Sequence, residues 1–435
     1  MILIKKGLNL PINGSPQSNV SDTPSVRKAA LLGNDFIGMK PTMLSRVGDK
    51  VKVGQKIIED KKNPGIFFTS PCSGTISDIN RGDKRKFLSV EIDIDSKEEF
   101  IEFDTNNSPI NLLIESGLFN SFRTRPFNRT PRVDDVPNCI FINACDTNPL
   151  SVSPSIIIEK NKKDFDRGVQ FISSIFPVPT HLTYQDDIID YNYDSVESHK
   201  FNGPHPAGLV STHINTIYPV SIDRRVWTIG YQEVISIGFL LNNKKLRTHK
   251  YIALGGESVF NPSIVSARIG GDLTEITAGK IEGSSRIISG SVLFGHDAKD
   301  VMSYLGFYDN QVSVIPNTPN DIFMNWIMPG KTLHSKLNVF ISSFIKPKKF
   351  TFNTSINGGN RAIVPVGSYE EIIPMNILVT QLLKALVVSD IEVATDLGML
   401  ELTAEDLALA TYVCPSKYDY CSILMDNLNK VYEEL

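Results

Sequence analysis

The segment Cys139-Ile140-Phe141-Ile142-Asn143-Ala144 is a short apolar run that predicts a buried β-strand. A helix is expected next, from about Lys160 to Phe176, because Phe165, Val169, Ile172 and Phe176 recur on one face and Pro177 follows. A second strand is predicted at His181 to Tyr184. The order strand, helix, strand is typical of an α/β layer.

The alternation continues further along the chain. A second amphipathic segment places five residues on one side at helical spacing, namely Trp227, Tyr231, Val234, Gly238 and Leu241. Tyr251 to Leu254 then predicts another strand. We interpret residues 106–254 as one doubly wound, Rossmann-like α/β domain.

Short β-rich segments broken by closely spaced turns precede this domain, from Pro41 to Asp95. The stretches Val47 to Ile58 and Thr69 to Ile76 resemble the barrel-sandwich domain of biotinyl and lipoyl carriers. In a carrier, the hairpin tip presents a lysine for modification, usually beside methionines. Here the tip holds Lys61 and Lys62 without methionines, so two exposed turn lysines are the preferred interpretation. Residues 1–105 are assigned to this N-terminal segment and barrel-sandwich domain.

Two further parts complete the predicted organisation. Between Pro262 and Pro329, short strands separated by glycines indicate a second small β-rich module, which we place at residues 255–330. Residues 331–435 are predicted to be largely helical, because apolar residues recur at helical spacing from Asn376 to Val388. Thr403 and Asp406 form a capping pair for a helix that starts near Ala404.

Composition excludes several functional classes. The 44 basic and 48 acidic residues give a net charge of -4 without long basic runs, which argues against nucleic-acid binding. Apolar runs are too short to span a bilayer, and the N-terminus lacks a secretory signal pattern, so a cytoplasmic location is expected. The five cysteines fit neither a disulfide framework nor a common metal motif, so buried structural thiols are expected.

Short motifs spread along the chain resemble one family, the NqrA subunits of the bacterial sodium-translocating NADH:quinone reductases. They occur in order from one end of the chain to the other. The motifs are Ile4 to Ile12, Asp146 to Leu150, Asn202 to Leu209 with Thr212-His213, Val226 to Val234, Ala253 to Gly256, Asn310 to Ile315, Arg361 to Glu370, Leu400 to Leu402 and Val413 to Tyr418.

The resemblance implies a peripheral subunit on the cytoplasmic face of the inner membrane. It implies a six-subunit respiratory complex, with membrane subunits among the partners, that couples NADH oxidation and ubiquinone reduction to sodium export. NADH, flavins and iron-sulfur centres would then be used in other subunits, and ubiquinone is a possible ligand of this chain. The family also implies that the β-rich module is a β-grasp fold of the SLBB type.

Departures from relatives in the Rnf complex and respiratory complex I suggest that this chain is cofactor-free. Those relatives have a glycine-rich loop where this chain has Glu115 to Arg125 with one glycine, and a phosphate cradle needs several. Cys414 and Cys421 offer two thiolates where a cubane cluster needs four. The resemblance therefore favours a structural role and leaves a quinone-related role open, with catalysis belonging to the complex rather than to the isolated chain.

Two groups of residues are candidates for quinone binding or for a subunit interface. Phe119, Phe122, Arg123 and Arg125 combine aromatic and guanidinium groups. Pro204, His205 and Pro206 form a rigid turn, in which His205 could bond a quinone carbonyl, relay a proton or simply bond the backbone. No metal site and no catalytic residue are expected.

Two alternative functions are kept open. The first is a flavin- or iron-sulfur-bearing NADH oxidoreductase of the Rnf electron-input type, which would be coloured when purified. The second is an acyl-carrier-like protein modified at Lys61 or Lys62.

Overall fold

The computed structural model describes residues 1–21, 23–317, 328–345, 349–356 and 358–434. Its strands are β1 (Ile2–Leu3), β2 (Gln17–Ser21), β3 (Lys28–Leu32), β4 (Pro41–Met43), β5 (Lys50–Val51), β6 (Lys56–Asp60), β7 (Phe67–Thr69), β8 (Gly74–Arg81), β9 (Phe87–Ile94), β10 (Arg123–Arg125), β11 (Cys139–Ala144), β12 (Thr180–Tyr184), β13 (Glu197–Asn202), β14 (Val226–Gly230), β15 (His249–Gly255), β16 (Ser263–Arg268), β17 (Ser285–Ser289), β18 (His296–Asp297) and β19 (Gln311–Pro316). Its α-helices are α1 (Pro109–Ser116), α2 (Pro154–Lys160), α3 (Lys162–Ile175), α4 (Val210–Ile217), α5 (Tyr231–Asn243), α6 (Leu273–Ile276), α7 (Ser342–Ile345), α8 (Val379–Val388), α9 (Ile391–Asp396), α10 (Ala408–Val413) and α11 (Tyr420–Glu434).

The central sheet has the order β1-β13-β12-β11-β14-β10. All neighbouring pairs are parallel except β14 and β10, which are antiparallel. Ile140 and Ile142 of β11 pack in the cluster that contains α3 and α5 residues, while Phe141 packs with α4 residues. Helices therefore cover both faces, as a parallel sheet requires, and the predicted doubly wound layer is confirmed.

Most of the secondary-structure predictions for this layer are confirmed, and the prediction for Trp227 is wrong. The strands at Cys139 and His181 and the helix before Pro177 lie where the sequence indicated. Trp227, predicted on the face of a helix, lies in β14 instead. A short apolar run such as β14 cannot be distinguished from the start of a helix by periodicity, and α5 begins only at Tyr231.

A barrel-sandwich unit formed by two small sheets lies in the N-terminal part of the chain. One sheet has the order β3-β9-β8-β5 and the other has the order β4-β6-β7. The antiparallel pair of β6 and β7 is joined by the turn with Lys61 and Lys62, and both lysines are exposed. The predicted barrel sandwich is confirmed.

A mixed six-stranded sheet, called here the mixed sheet, has the order β18-β17-β19-β15-β16-β2. Its centre is the pairing of β15 with β16 and with β19. The predicted strand at Tyr251 to Leu254 therefore belongs to the mixed sheet, and its assignment to the Rossmann-like layer is wrong. The sequence predicted a strand at this position but carried no information about its pairing partners.

The first two strands of the N-terminal segment pair outside the two barrel-sandwich sheets. Its strand β1 extends the central sheet beside β13, and β2 pairs with β16 of the mixed sheet. Ile12 forms a bridge with Phe350 near the C-terminal part. These first residues therefore tie three parts of the fold together.

The C-terminal part has its own apolar cluster, built from α8 to α11 and the turns between them. Thr403 and Asp406 make the predicted capping box at a short 3₁₀ turn, Ala404–Leu407, which continues into α10. Residues 318–327, which fall across the end of the predicted β-rich module, lie outside the described residues. Among the helices described, none is long and apolar enough to cross a membrane.

Candidate functional site

A cavity of about 410 Å³ lies at the carboxyl end of the central sheet, between β11 and β14. The chain runs from β11 outward to β12 and β13 and then returns to β14 on the other side of β11. In open α/β sheets, ligands bind at this point of reversal. Cys145 and Asp146 follow β11, Gly230 ends β14 and Tyr231 begins α5, and all four line the cavity.

The remaining walls come from other parts of the molecule. Asp35 follows β3, Tyr308 and Asp309 precede β19, and Glu405 lies in the 3₁₀ turn before α10. The size is within the range of small-molecule sites, which cover about 300–1,000 Å³. Because four parts of the chain contribute, the cavity depends on their assembly.

The loop that carries His205 interlocks with the N-terminal segment. Gly7 has φ of 145°, and a Cβ atom there would overlap the carbonyl oxygen of His205. Gly203 has φ of 147°, and a Cβ atom there would overlap the carbonyl oxygen of Ile4. The backbone N–H of Leu8 donates to the His205 carbonyl at 2.8 Å. The two segments approach so closely that only glycine fits at both positions.

His205 is buried and lines the cavity. Its Nδ1 atom lies 3.3 Å from Oγ1 of Thr147, and that hydroxyl oxygen also accepts a 2.8 Å hydrogen bond from the Gly208 backbone N–H. Burial lowers the pKa of His205 to about 4. The ring is therefore neutral at neutral pH and offers hydrogen bonding, and the proton relay considered from sequence stays a prediction.

Arg123 is the second predicted residue that lines the cavity. It begins β10, opposite Thr228 of β14, and its guanidinium carbon lies 3.3 Å from the centroid of the Tyr308 ring. The Tyr308 hydroxyl donates to the backbone carbonyl of Asn120 at 2.6 Å. A cation over an aromatic face is attracted by the ring quadrupole, so this contact fixes the arginine across the boundary between the central and mixed sheets.

Phe119 and Phe122 lie in the core and not at the cavity or the surface. Both contact Trp227, at ring-centroid distances of 5.8 and 5.7 Å, and Phe122 also contacts Phe176. Their exposed fractions are 1% and 0%. Because neither ring offers a free face, this position does not provide the ligand or partner contact predicted for them.

Three other predicted residues are also largely enclosed. Arg125 is buried, its side chain donates to Asn128, and its guanidinium lies 3.8 Å from the Glu405 carboxylate. Pro206 is buried and Pro204 is half-buried, where it lies against Gly7. These side chains therefore pack inside the fold beside the cavity, and they do not form an exposed interface.

The charge of the cavity does not suit a phosphate group. Its described lining residues include one arginine, Arg123, and four carboxylates, those of Asp35, Asp146, Asp309 and Glu405. Burial raises the pKa of Asp146 to about 6. Four carboxyl groups facing a single guanidinium make this cavity unfavourable for an anionic ligand.

The start of α5 is also unsuited to binding a phosphate group. Helix N-termini bind phosphates through free backbone N–H groups. Here the buried Glu233 carboxylate lies beside Gly230 and accepts a hydrogen bond from its own backbone N–H. A dinucleotide phosphate at this N-terminus would meet a carboxylate, so the residues present do not fit NADH or a flavin nucleotide.

The cysteines do not gather into a cluster site. Cys414 is buried and contacts the hydroxyls of Tyr369 and Tyr420, and burial raises the pKa of Cys421 to about 12. Within the described ranges, neither belongs to a group of three metal-binding side chains. Such a group does occur elsewhere, at His181, Glu197 and His199.

Sequence reasoning missed Asp146, Tyr231, Tyr308 and Asp309 as cavity residues. Asp146 and Tyr231 follow strands that the doubly wound pattern brings side by side, so the strand-end rule could have found them. Tyr308 and Asp309 precede a strand of the mixed sheet, and no local pattern predicts that they face β11.

Three family descriptions match the chain. The NqrA N-terminal barrel-sandwich hybrid domain matches residues 2–95, the NqrA second alpha/beta domain matches residues 106–246, and the NQRA C-terminal domain, of the SLBB type, matches residues 251–300.

Relatives match from end to end. The NqrA protein of the Na(+)-translocating NADH-quinone reductase of Rhodopirellula baltica is 44% identical, covering 99% of this chain and 98% of the relative. The proteins of the same name from Neisseria meningitidis serogroup C and Haemophilus influenzae strain KW20 / Rd are each 44% identical over 100% of both chains.

Proposed function

Because the chain belongs to the NqrA family of Na⁺-translocating NADH-quinone reductase subunits, we propose that it functions as the NqrA component of such a reductase. The complex oxidises NADH, reduces quinone and moves sodium ions. The single observation that carries this proposal is the 44% identity over the whole length of both chains. The similarity favours this role over the Rnf-type alternative, because the relatives named above are all subunits of the sodium-translocating reductase.

We further propose that the chain binds at the cytoplasmic face of the membrane as a peripheral component. A complex that moves sodium needs a path for the ion through the bilayer. We assign this path to membrane subunits to which the chain binds.

An exposed apolar stretch supports contact with such a partner. Phe344 and Val339 are 82% and 65% exposed. They belong to what we call the 337–345 patch, whose exposed apolar members are Leu337, Val339, Ile341, Phe344 and Ile345. Apolar surface of this kind marks interaction sites. We propose that the 337–345 patch binds an apolar surface of another subunit of the reductase.

Copurification tests the subunit role and the patch together. The tagged full chain is purified from gently solubilised membranes, and its companions are identified by mass spectrometry. We expect membrane subunits to copurify with the chain and the purified material to show quinone reductase activity. The double variant Phe344→Ser, Ile345→Ser should lose the companions, while Phe260→Ser, at a 58% exposed phenylalanine outside the patch, should retain them. A chain that elutes alone from native membranes would contradict the proposal.

The cavity favours a neutral ligand with hydrogen-bond acceptors. Arg123 supplies guanidinium donors, and neutral His205 supplies a ring nitrogen at the wall, while the surrounding carboxylates disfavour anions. A quinone ring with two carbonyl oxygens has this chemistry, so we propose quinone contact at Arg123 and His205.

Binding of a short-chain ubiquinone to the purified full chain tests this second proposal. Arg123→Met should weaken binding by roughly tenfold, the loss of about one charged hydrogen bond. Arg81→Met, at an exposed arginine of the barrel sandwich, is the matched control. Equal affinity of both variants and the original chain would place quinone elsewhere.

A further inference from the structure

Three metal-binding side chains converge at the edge of the central sheet away from the cavity. Nδ1 of His181 lies 3.2 Å from Nε2 of His199 and 3.3 Å from Oε2 of Glu197. Nε2 of His199 lies 3.7 Å from the same carboxylate oxygen. The three atoms form a compact triangle.

The strand register holds these side chains together. His181 of β12 is directly opposite Glu197 of β13, and Thr183 is opposite His199. Because alternate residues of a strand share a face, all three ligand-bearing residues project from the same side. Phe141 of the neighbouring strand packs against the His181 ring at a centroid distance of 4.8 Å, which further limits its orientation.

The dimensions of the triangle match tetrahedral zinc. With bonds of about 2.0–2.1 Å, neighbouring ligand atoms around Zn²⁺ lie about 3.3–3.4 Å apart. The observed separations of 3.2, 3.3 and 3.7 Å bracket this value. Two imidazoles and one carboxylate are also a donor set that zinc accepts, whereas sodium, calcium and magnesium prefer oxygen ligands.

Hydrogen bonds alone satisfy this cluster poorly. A neutral imidazole carries one hydrogen, so Nδ1 of His181 can donate to His199 or to Glu197 but not to both. A bound cation would satisfy all three atoms at once.

The site is open on one side. The His181 side chain is 7% exposed, His199 is 24% exposed and Glu197 is 68% exposed. The histidines are thus anchored in the sheet while water can reach the carboxylate. Because His181 and Glu197 lie at the beginnings of β12 and β13, the site is at the opposite end of the sheet from the cavity.

We propose that His181, Glu197 and His199 bind one Zn²⁺ ion, with water in the remaining coordination position. The ion joins β12 to β13 through side chains as well as through backbone hydrogen bonds. It therefore stabilises the outer part of the central sheet, where β1 also pairs.

Metal titration of the purified full chain tests this assignment. After chelator treatment and dialysis, zinc is added and bound metal is measured by elemental analysis. About one zinc ion per chain is expected, with a rise in the thermal midpoint because the ligand binds the folded state. Cobalt in place of zinc should give the visible absorption of a tetrahedral ion.

Single variants distinguish this site from surface binding. Glu197→Gln and His199→Gln should each weaken zinc affinity by at least about tenfold and abolish the cobalt spectrum. His249→Gln, which removes a histidine outside the cluster, should leave both unchanged. The proposal is overturned if the original chain binds no zinc, or if the cluster variants bind it as well as His249→Gln does. Circular dichroism of the metal-free variants checks that they are folded.

Discussion

Nδ1 of His205 lies 3.3 Å from the hydroxyl oxygen of Thr147. This contact joins the loop after β11 to the loop after β13, two strands separated in the sheet by β12. The hydroxyl oxygen also accepts a hydrogen bond from the Gly208 backbone N–H, so the Thr147 side chain contacts both ends of the segment from His205 to Gly208. Thr147 therefore holds this part of the cavity wall in place through its two hydrogen bonds.

Replacing Thr147 with valine should destabilise the chain. The substitution keeps the shape of the side chain but leaves the Gly208 N–H without its acceptor, at a cost of about 1–3 kcal/mol in the free energy of unfolding. Urea denaturation measures the change. Thr42→Val, at an exposed strand position, should stay within about 0.5 kcal/mol of the original chain. Equal effects of the two substitutions would refute the role of the hydroxyl.

Gly7→Ala should be more damaging than a substitution at a comparable glycine in open space. Gly7 combines positive φ with backbone overlap at His205, whereas Gly48 has φ of 92° and nothing within 4 Å of an added Cβ. We expect Gly48→Ala to cost about 1–2 kcal/mol from backbone strain, and Gly7→Ala about 1–3 kcal/mol more from overlap. Denaturation of both variants gives the comparison, and similar losses would show that the N-terminal segment tolerates displacement.

The acid sensitivity of the chain should depend on His205. Its pKa is about 4 in the fold against an ordinary value of 6.5, so stability present above pH 6.5 is lost as the pH falls toward 4. The full loss is roughly 3 kcal/mol, from 1.36 kcal/mol per pKa unit. His205→Gln should flatten the decline in thermal midpoint between these pH values. Thr147→Val retains the titrating ring and should keep the decline, and an unchanged slope in His205→Gln would contradict the argument.

The contribution of Asp146 to stability should have the opposite pH dependence to that of His205. Its pKa is raised to about 6 from an ordinary value of 3.8, so its contribution favours folding at low pH and is lost as the pH rises through 6. Asp146→Asn keeps an oxygen that can accept the 2.9 Å hydrogen bond from the Asn148 backbone. The variant should therefore gain stability relative to the original chain at pH 7.5 but not at pH 4. A loss at pH 7.5 would mean that the ionised form is needed.

The sequence was sufficient for features that local patterns determine. The strand at Cys139, the barrel-sandwich turns and the Thr403 capping box each rest on a few neighbouring residues, and each is present in the fold. The helical prediction for Trp227 is wrong because its four-residue spacing to Tyr231 suits a helix, whereas Val226 to Ile229 are consecutive buried residues of a central strand.

Features that depend on pairing between distant segments could not be predicted. Nothing local distinguishes β15 as a strand of the mixed sheet, or assigns β1 and β2 to two different sheets. Among the candidate site residues, Arg123 and His205 line the cavity, but Phe119 and Phe122 pack on Trp227. Aromatic residues near arginine resemble a binding surface in sequence whether they face a ligand or the core.

Reductase activity measured with and without this chain provides the decisive test of its role in the complex. Membranes from cells that lack the chain, and from the same cells with the chain restored, are assayed for NADH:quinone reductase activity with and without sodium. We predict that sodium-stimulated quinone reduction appears only when the chain is restored. Equal sodium-stimulated activity in both membranes would contradict its role in the reductase.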